Sequence, residues 1–188
     1  MKSSFFFFCK FINSEKILSL PRTIGETLNL FEEIKVIANK VSQSNSCLFL
    51  GRGVLYPIAL EAALKLKELS YIHAEGFAAG EMKHGPIALI EKNLPVICFL
   101  DDNEISIKTS SNLREAEARG AKIIVITTKK SKKLVEFAHH VICVPDCSDI
   151  FSPIIFAIPA QILAYLTASE KGTDVDQPRN LAKSVTVE

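Results

Sequence analysis

Three charged residues, Glu61, Lys65 and Glu68, follow one another at the spacing i, i+4 and i+7. At about 100° per residue, this spacing places them in one narrow stripe along a helix. Apolar residues flank the stripe, Leu60 and Leu64 among them. A carboxylate held beside a lysine in a semi-buried cleft can act as a general base that moves a proton between adjacent carbons. The pattern fits charges that face a pocket or an interface, and it fits equally an ion pair on a solvated face.

A glycine turn precedes this helix. Gly51, Arg52 and Gly53 follow the apolar run 47–50, which is typical of a buried strand, and Pro57 favours a helix start. Open parallel sheets bind ligands at this position, where a strand ends and a helix begins. The turn lacks the third glycine of the dinucleotide fingerprint and the Gly-Lys-Ser of a phosphate-binding loop. A tight turn and a phosphate cradle both remain open.

Two further residues with chemical potential lie outside this helix. His84 lies in the segment 74–86, which is rich in glycine and charged residues and is predicted to be a loop between helices. A histidine there can transfer protons near neutral pH, or it can be a structural residue of the turn. Lys183 lies in a polar tail, 172–188, which is predicted to be extended. This lysine is a solvated cation unless the tail folds back and desolvates it. We expect such a tail to fold over the carboxyl edge of the sheet toward the charged stripe.

The surrounding pattern predicts an α/β fold. Apolar or β-branched runs predict strands, and apolar residues at helical spacing predict helices between them. Thr23 is a possible cap at the start of the first helix. The strands are expected at 47–50, 95–100, 121–126 and 140–144, and the helices at 23–41, from Pro57 onward, and at 104–119, 132–138 and 153–168. Such alternation predicts a parallel sheet of about five strands with helices on both faces.

Composition narrows the class of ligand. The chain has 188 residues, 48% of them hydrophobic, which suits one compact domain. Its 22 basic and 21 acidic residues leave a formal charge of +1, which favours a small molecule over nucleic acid. The basic run 129–133 has no interleaved aromatic residues and is interpreted as a solvated loop, and His139 and His140 as structural residues.

Cysteine usage and hydropathy indicate a reduced, cytoplasmic protein without a membrane anchor. Five cysteines, an odd number, include three within apolar runs, as expected of buried thiols in the cytosol. Cys143 and Cys147 have no second pair at a matching spacing, so no metal and no cofactor are expected. The apolar run near the start, Phe5 to Cys9, is too short to span a membrane, and 153–168 suits a buried helix.

Several motifs together resemble one enzyme family. They are the strings FLGRG at 49–53, YPIALE at 56–61, ALKLKE at 63–68, YIHAE at 71–75 and GEMKHGP at 80–86, with the ending KGTDVDQPRNLAKSVTVE at 171–188. This pattern is similar to the second sugar-isomerase (SIS) domain of glucosamine-6-phosphate synthases, the isomerising glutamine:fructose-6-phosphate aminotransferases. The resemblance runs from about Leu20 to Glu188 and implies the three-layer α-β-α sandwich of a SIS domain.

The resemblance implies roles for individual residues. That family makes glucosamine 6-phosphate and glutamate from fructose 6-phosphate and glutamine. Lys183 resembles the lysine that forms a Schiff base with the open-chain sugar, and Glu68 the base that moves the proton between the first two sugar carbons. Lys65 resembles the partner of Glu68, and His84 the residue that assists ring opening in a neighbouring subunit's site. The substrate-binding positions implied are Glu61, Gly51, Arg52, Gly53 and Ala182.

The resemblance also has gaps. Residues 1–19 resemble nothing in the family and form an unassigned segment, so the SIS domain is placed at 20–188. No counterpart of the family's glutaminase domain or first SIS domain, which holds the sugar phosphate, is present in this sequence. We therefore expect a homodimer, or a separately encoded chain that supplies these parts. A phosphosugar isomerase, a binding module without turnover and an inactive fragment remain as alternatives.

Overall fold

The computed structural model describes residues 14–181, and the elements within them alternate between helix and strand. In chain order they are α1 (Ser14–Leu28), α2 (Phe31–Ser42), β1 (Ser46–Gly51), α3 (Tyr56–Ser70), β2 (His73–Ala78), β3 (Pro95–Leu100), α4 (Ser106–Glu117), β4 (Lys122–Thr128), β5 (His140–Val144) and α5 (Ser152–Glu170). Short 3-10 helices occupy Gly53–Leu55, Ala79–His84, Pro86–Leu89 and Lys132–Val135. The predicted boundary between residues 19 and 20 falls inside α1.

The five strands form one sheet in which every pairing is parallel, in the order β2-β1-β3-β4-β5. The register places Leu48 opposite both Glu75 and Val96, so β1 lies between β2 and β3. Strands β3 and β5 have the predicted bounds, and β4 lies close to its predicted position. The predicted α/β fold is therefore confirmed.

The predicted loop at 74–86 was wrong in its first part, because β2 occupies His73–Ala78. Most of its residues are only partly buried, and His73, Glu75 and Gly76 interrupt the kind of apolar run that marks the other strands. The rest of the segment forms two 3-10 helices, which position His84 and the residues that follow it.

The predicted helix at 23–41 is two helices, broken at residues 29 and 30. Thr23 does not cap a helix, because it lies inside α1 and its hydroxyl donates a hydrogen bond to the carbonyl of Ser19 at 3.1 Å. The break carries no glycine or proline, the residues that usually mark such a boundary. The helix predicted at 132–138 is a single 3-10 turn.

Each face of the sheet carries its own core. Side chains alternate along the strands, so Phe49 and Phe99 point to one face while Leu50 and Cys98 point to the other. Helices α2, α3 and α5 with the first 3-10 helix cover the first face, and α4 with the three later 3-10 helices covers the second. On the first face Phe99 stacks against Phe49 at 6.4 Å and meets Phe156 of α5 edge-on at 6.5 Å, which ties α5 to the sheet.

Helix α5 is long and apolar enough to cross a membrane, judged by length and composition alone. It packs against α2 and α3 more extensively than any other pair of elements in the described chain. Ile155, Phe156, Leu163 and Ala164 are all buried there. Core helices of soluble proteins meet the same length and composition test, and the packing of α5 matches that role, as predicted from the segment 153–168.

Candidate functional site

Helix α3 positions the charged stripe. It begins at Tyr56 with Pro57 in its first turn, where the missing N–H of proline costs no hydrogen bond. Its inner side is made of small residues and one leucine, all buried: Ala59, Ala62, Ala63, Leu66 and Ser70. On the strand side, Gly76 of β2 touches the backbone of α3, because a Cβ there would lie 2.8 Å from the carbonyl oxygen of Ala59. The helix therefore lies close to the sheet and presents its opposite side outward.

The stripe of Glu61, Lys65 and Glu68 forms one chain of ion pairs on that outer side. Lys65 Nζ lies 2.8 Å from Glu68 Oε2 and 3.8 Å from Glu61 Oε1. The hydrogen bond to Glu68 raises the pKa of the Lys65 ammonium, with burial opposing the shift. The lysine thus stays protonated and fixes the Glu68 carboxylate in place, where it is able to accept a proton.

The stripe is open to solvent within this chain. The side chains of Glu61, Lys65 and Glu68 are 38%, 34% and 27% exposed. Leu60 and Leu64 beside them are each 42% exposed, so the apolar flanks are not fully buried. A pocket or interface at the stripe therefore needs a second surface, and its existence stays a prediction.

The tail returns to the end of α3. The hydroxyl of Thr173 donates a hydrogen bond to the carbonyl of Leu69 at 2.6 Å. Further along, the backbone N–H of Arg179 donates to the hydroxyl of Tyr71 at 2.9 Å, and its guanidinium lies 4.1 Å above the Tyr71 ring. These contacts attach the tail next to Glu68, which lies in the last turn of α3.

The tail does not follow the predicted path over the carboxyl edge of the sheet. Helix α3 joins the carboxyl end of β1 to the amino end of the parallel strand β2, so it runs antiparallel to both strands. Its last turn therefore lies at the amino edge, and residues 173–179 attach there. Ala182 and Lys183 lie outside the described residues.

His84 lies at the opposite edge of the sheet from Glu68. It ends the 3-10 helix Ala79–His84, which begins directly after the carboxyl end of β2. Its Nδ1 is 2.9 Å from Glu81 Oε2, and the side chain is 72% exposed. Because β2 separates His84 from the last turn of α3, one chain does not bring His84 and Glu68 together. The predicted use of His84 in a neighbouring subunit's site is compatible with this separation.

The glycine turn forms part of a crevice between β1 and β3. Strand order reverses between these two strands, which is where open α/β sheets bind ligands. A cavity of about 250 Å³ opens there, lined on one side by Arg52, Gly53 and Leu55. Gly53 has a φ of 57°, a left-handed conformation suited to glycine. Gly51 has no room for a side chain, because a Cβ would lie 2.2 Å from the carbonyl oxygen of Leu55.

The other side of the crevice consists of residues that the sequence reasoning missed. Asp101, Asn103, Ser106 and Thr109 line it, from the end of β3 to the first turn of α4. The Asn103 side-chain oxygen accepts hydrogen bonds from the Ile105 N–H at 3.0 Å and from the Ser106 hydroxyl at 3.2 Å. A pattern that predicts these positions was present, since polar residues directly follow the apolar strand 95–100.

Among residues 14–181, no group of three or more His, Cys, Asp or Glu side chains is placed to hold a metal ion. The four cysteines described, at 47, 98, 143 and 147, are free thiols. Burial raises the pKa of the Cys98 thiol far above its usual range and that of Cys147 to about 11, so both are held as inert thiols.

An all-parallel five-stranded sheet with a crevice at its carboxyl edge defines the class of open α/β domains, which bind ligands at that edge. The SIS domain family model matches residues 40–170, and the chain belongs to this family. It is 55% identical over 169 residues to a glutamine–fructose-6-phosphate aminotransferase (isomerizing) of Mesorhizobium japonicum, covering 89% of this chain and 28% of the relative. The protein of the same name from Rhizobium meliloti is 50% identical over 176 residues, covering 93% of this chain and 29% of the relative.

A solved structure supports the same family. The C-terminal domain of glucosamine-fructose-6-phosphate aminotransferase from Francisella tularensis superposes with a TM-score of 0.83 at 44% identity, covering 87% of this chain and 46% of that one. This chain thus spans less than a third of the length of its curated relatives and under half of that solved domain. The predicted SIS fold is confirmed.

Proposed function

We propose that this chain supplies the sugar-isomerising half of a glutamine–fructose-6-phosphate aminotransferase, which converts fructose 6-phosphate to glucosamine 6-phosphate. One observation carries the proposal: the tail attaches to the end of the helix that bears Glu68, at Leu69 and Tyr71. The names of the relatives and the resemblance of the tail to the family support the same assignment.

Lys183 and Glu68 divide the chemistry in this proposal. The amine of Lys183 attacks the ketone carbon C2 of the open-chain sugar, and water leaves as the imine forms. After ammonia has replaced the lysine at C2, the Glu68 carboxylate takes a proton from C1 and returns it to C2. Lys65 holds the Glu68 carboxylate in place through the 2.8 Å contact, and Glu61 lies 3.8 Å from the same ammonium.

The attachment of Arg179 to Tyr71 supports a role for Lys183 beside Glu68, because the chain length between them is sufficient. Arg179 is fixed against Tyr71, and the four residues from there to Lys183 span at most about 14 Å when extended. Tyr71 lies three residues beyond Glu68, which is about 4.5 Å along a helix axis. The tail can therefore place the Lys183 amine at the α3 stripe without any change in its anchor.

The remaining parts of the site belong to other surfaces. Ala182 and the glycine turn, Gly51 to Gly53, are proposed to contact the sugar phosphate or its neighbouring segments, and His84 to act in a neighbouring subunit. A two-fold dimer, or a separate chain with the glutaminase and first SIS domains, covers the stripe. Free thiols at the four described cysteines agree with a cytoplasmic setting.

Borohydride trapping tests the proposal. The chain is mixed with the amino-terminal remainder of the Mesorhizobium japonicum relative and fructose 6-phosphate, and the imine is reduced to a stable secondary amine. We expect a single adduct on Lys183 by mass spectrometry, lost in Lys183→Arg and kept in the matched variant Lys171→Arg. Adducts spread over other lysines would reject the Schiff-base role. The role would also be rejected if no adduct formed on this chain while the intact relative was labelled under the same conditions.

A phosphosugar-binding module without turnover is the second candidate. The crevice between β1 and β3 favours it, because this cavity is enclosed by the chain itself, unlike the stripe. Calorimetric titration with fructose 6-phosphate separates the two candidates. Binding by the isolated chain that survives Lys183→Arg but is lost in Arg52→Gln would support the module.

A further inference from the structure

A second polar cavity lies at the amino edge of the sheet, beneath the starts of β3, β4 and β5 and beside the end of α2. Its volume is about 640 Å³. Four basic side chains line it, together with two amides and a hydroxyl: Lys40, Lys122, His139, His140, Gln43, Asn93 and Ser44. Among the residues that the structure describes, no aspartate or glutamate lines this cavity. The cavity is thus surrounded by hydrogen-bond donors of positive or neutral charge.

The hydrogen bonds define which ring nitrogens can serve a ligand. Lys40 Nζ lies 2.7 Å from His140 Nε2, and because an ammonium can only donate, the imidazole accepts there. The backbone N–H of Ile123 donates to His139 Nδ1 at 3.2 Å, so Nε2 of His139 carries the proton. His139 therefore offers an N–H donor, and Lys122 an ammonium with no ion pair at its side.

The local charge is reflected in both imidazoles. Burial lowers the pKa of both His139 and His140. The ammonium of Lys122 lowers the pKa of His139 further, and the ammonium of Lys40 lowers that of His140. The carboxylate of Glu117 opposes this effect at His139 without overcoming it. The cavity thus has a positive potential that nothing on its walls balances.

We propose that this cavity binds a phosphate-type oxyanion, either free phosphate or the phosphate group of a small metabolite. Its volume falls within the range of small-ligand sites, about 300 to 1,000 Å³. Lysine ammonium groups and imidazole N–H groups are strong donors to phosphate oxygens. Helix α2 presents its carboxyl end here, so the attraction for an anion comes from these side chains and not from a helix amino terminus. The proposal is independent of the function proposed above.

Binding and protonation are linked at this site. A bound anion stabilises the imidazolium forms of His139 and His140, so it raises their pKa values from the lowered values of the free chain. The chain contains four histidines. The other two, His73 and His84, lie beside Glu75 and Glu81 outside the cavity and serve as internal controls.

Nuclear magnetic resonance of the histidine rings in the full chain tests the proposal. Inorganic phosphate is added at constant pH and compared with chloride at the same ionic strength. We expect saturable shifts at His139 and His140, with a rise of about one unit in their pKa values, and no change at His73 and His84. Equal responses to chloride, or equal responses of all four rings, would overturn the proposal.

Variants separate binding from general charge. Lys122→Gln should weaken phosphate binding about tenfold, the usual effect of losing one hydrogen bond to a charged group. Lys35→Gln removes the same charge from an exposed position of α2 that does not line the cavity, and should leave binding unchanged. Equal weakening by both variants would contradict the site. Glycerol 3-phosphate is titrated in parallel to identify the form of the ligand. Binding with an affinity equal to that of inorganic phosphate assigns the site to phosphate monoesters, and no binding assigns it to free phosphate.

Discussion

The crevice at the carboxyl edge and the stripe on α3 differ in what one chain provides. The crevice is enclosed by the turn after β1 and by the loop before α4, and its polar groups already bind one another, as Asn103 does with Ser106. The stripe consists of two carboxylates and one lysine on an open helix face, between the exposed leucines 60 and 64. The described chain alone forms the walls of the crevice, whereas it leaves the stripe open to solvent, as expected if the proposed second surface covers it.

The largest expected effect concerns the stripe. Glu68→Gln keeps the shape of the side chain and removes the proton acceptor, so formation of glucosamine 6-phosphate should fall by a factor of about 10² to 10⁴ when residues 20–188 replace the matching part of the Mesorhizobium japonicum relative. Thermal unfolding should stay unchanged, because the side chain is partly exposed. Asn103→Asp, a change of one polar group in the crevice, is the matched control. A smaller loss in Glu68→Gln than in the control would reverse the assignment of the two regions.

An intermediate effect concerns how α3 is positioned. Gly76→Ala places a Cβ 2.8 Å from the Ala59 carbonyl oxygen and 2.9 Å from the Leu60 Cα, both backbone atoms that cannot move alone. Overpacking of this kind should lower the free energy of unfolding by about 1 to 3 kcal/mol in urea titrations. Gly25→Ala, in α1 with no atom within 4 Å of its Cβ, should instead be stabilising by about 0.5 to 1 kcal/mol. Equal midpoints for the two variants would show that α3 does not touch β2 through Gly76.

The smallest effect concerns the ion pairs of the stripe. Lys65→Met should lower the free energy of unfolding at pH 8 by only about 0.2 to 1 kcal/mol, as for other partly exposed pairs. The pKa of Lys65 is raised on folding, so its contribution is complete below the usual lysine value of 10.5 and is lost as the pH rises above it.

Urea titrations at pH 8 and at a pH above the usual lysine value measure this difference. The gap between wild type and Lys65→Met should narrow at the higher pH. Arg22→Met, which removes a pair whose arginine is 84% exposed, should change stability less than Lys65→Met. A gap that widens with pH would mean that the stripe destabilises the free chain.

Four of the five strands could be predicted from sequence because their apolar runs are continuous, and these include β5, an edge strand that is only partly buried. Strands β3 and β5 had the observed bounds, since a continuous apolar run between turns is typical of a parallel strand. The edge strand β2 was missed because His73, Glu75 and Gly76 interrupt any such run. Its place in the sheet depends on pairing with β1, which no local pattern expresses.

The candidate site also has one part that the sequence could predict and one part that it could not. Spacing along one helix was enough to predict that Glu61, Lys65 and Glu68 form a single stripe, and the ion pairs bear out this grouping. The crevice joins residues about fifty positions apart, so Arg52 and Asp101 could be brought together only by the sheet order. The attachment of residues 173–179 at the amino edge could not be predicted, because Arg179 and its partner Tyr71 lie 108 positions apart in the sequence.

Helix α5 has a consequence for how the chain reaches this fold during synthesis. It is the last of the described elements to be made, yet α2 packs mainly against it, and α3 packs against it as well as against the sheet. Part of the apolar face of the sheet with Phe49 and Phe99 therefore stays uncovered on the ribosome until Glu170 has emerged. Translation from the end of α2 to the start of α5 takes on the order of 5 to 20 s, long enough for nascent chains to associate through this face or to be held by a chaperone.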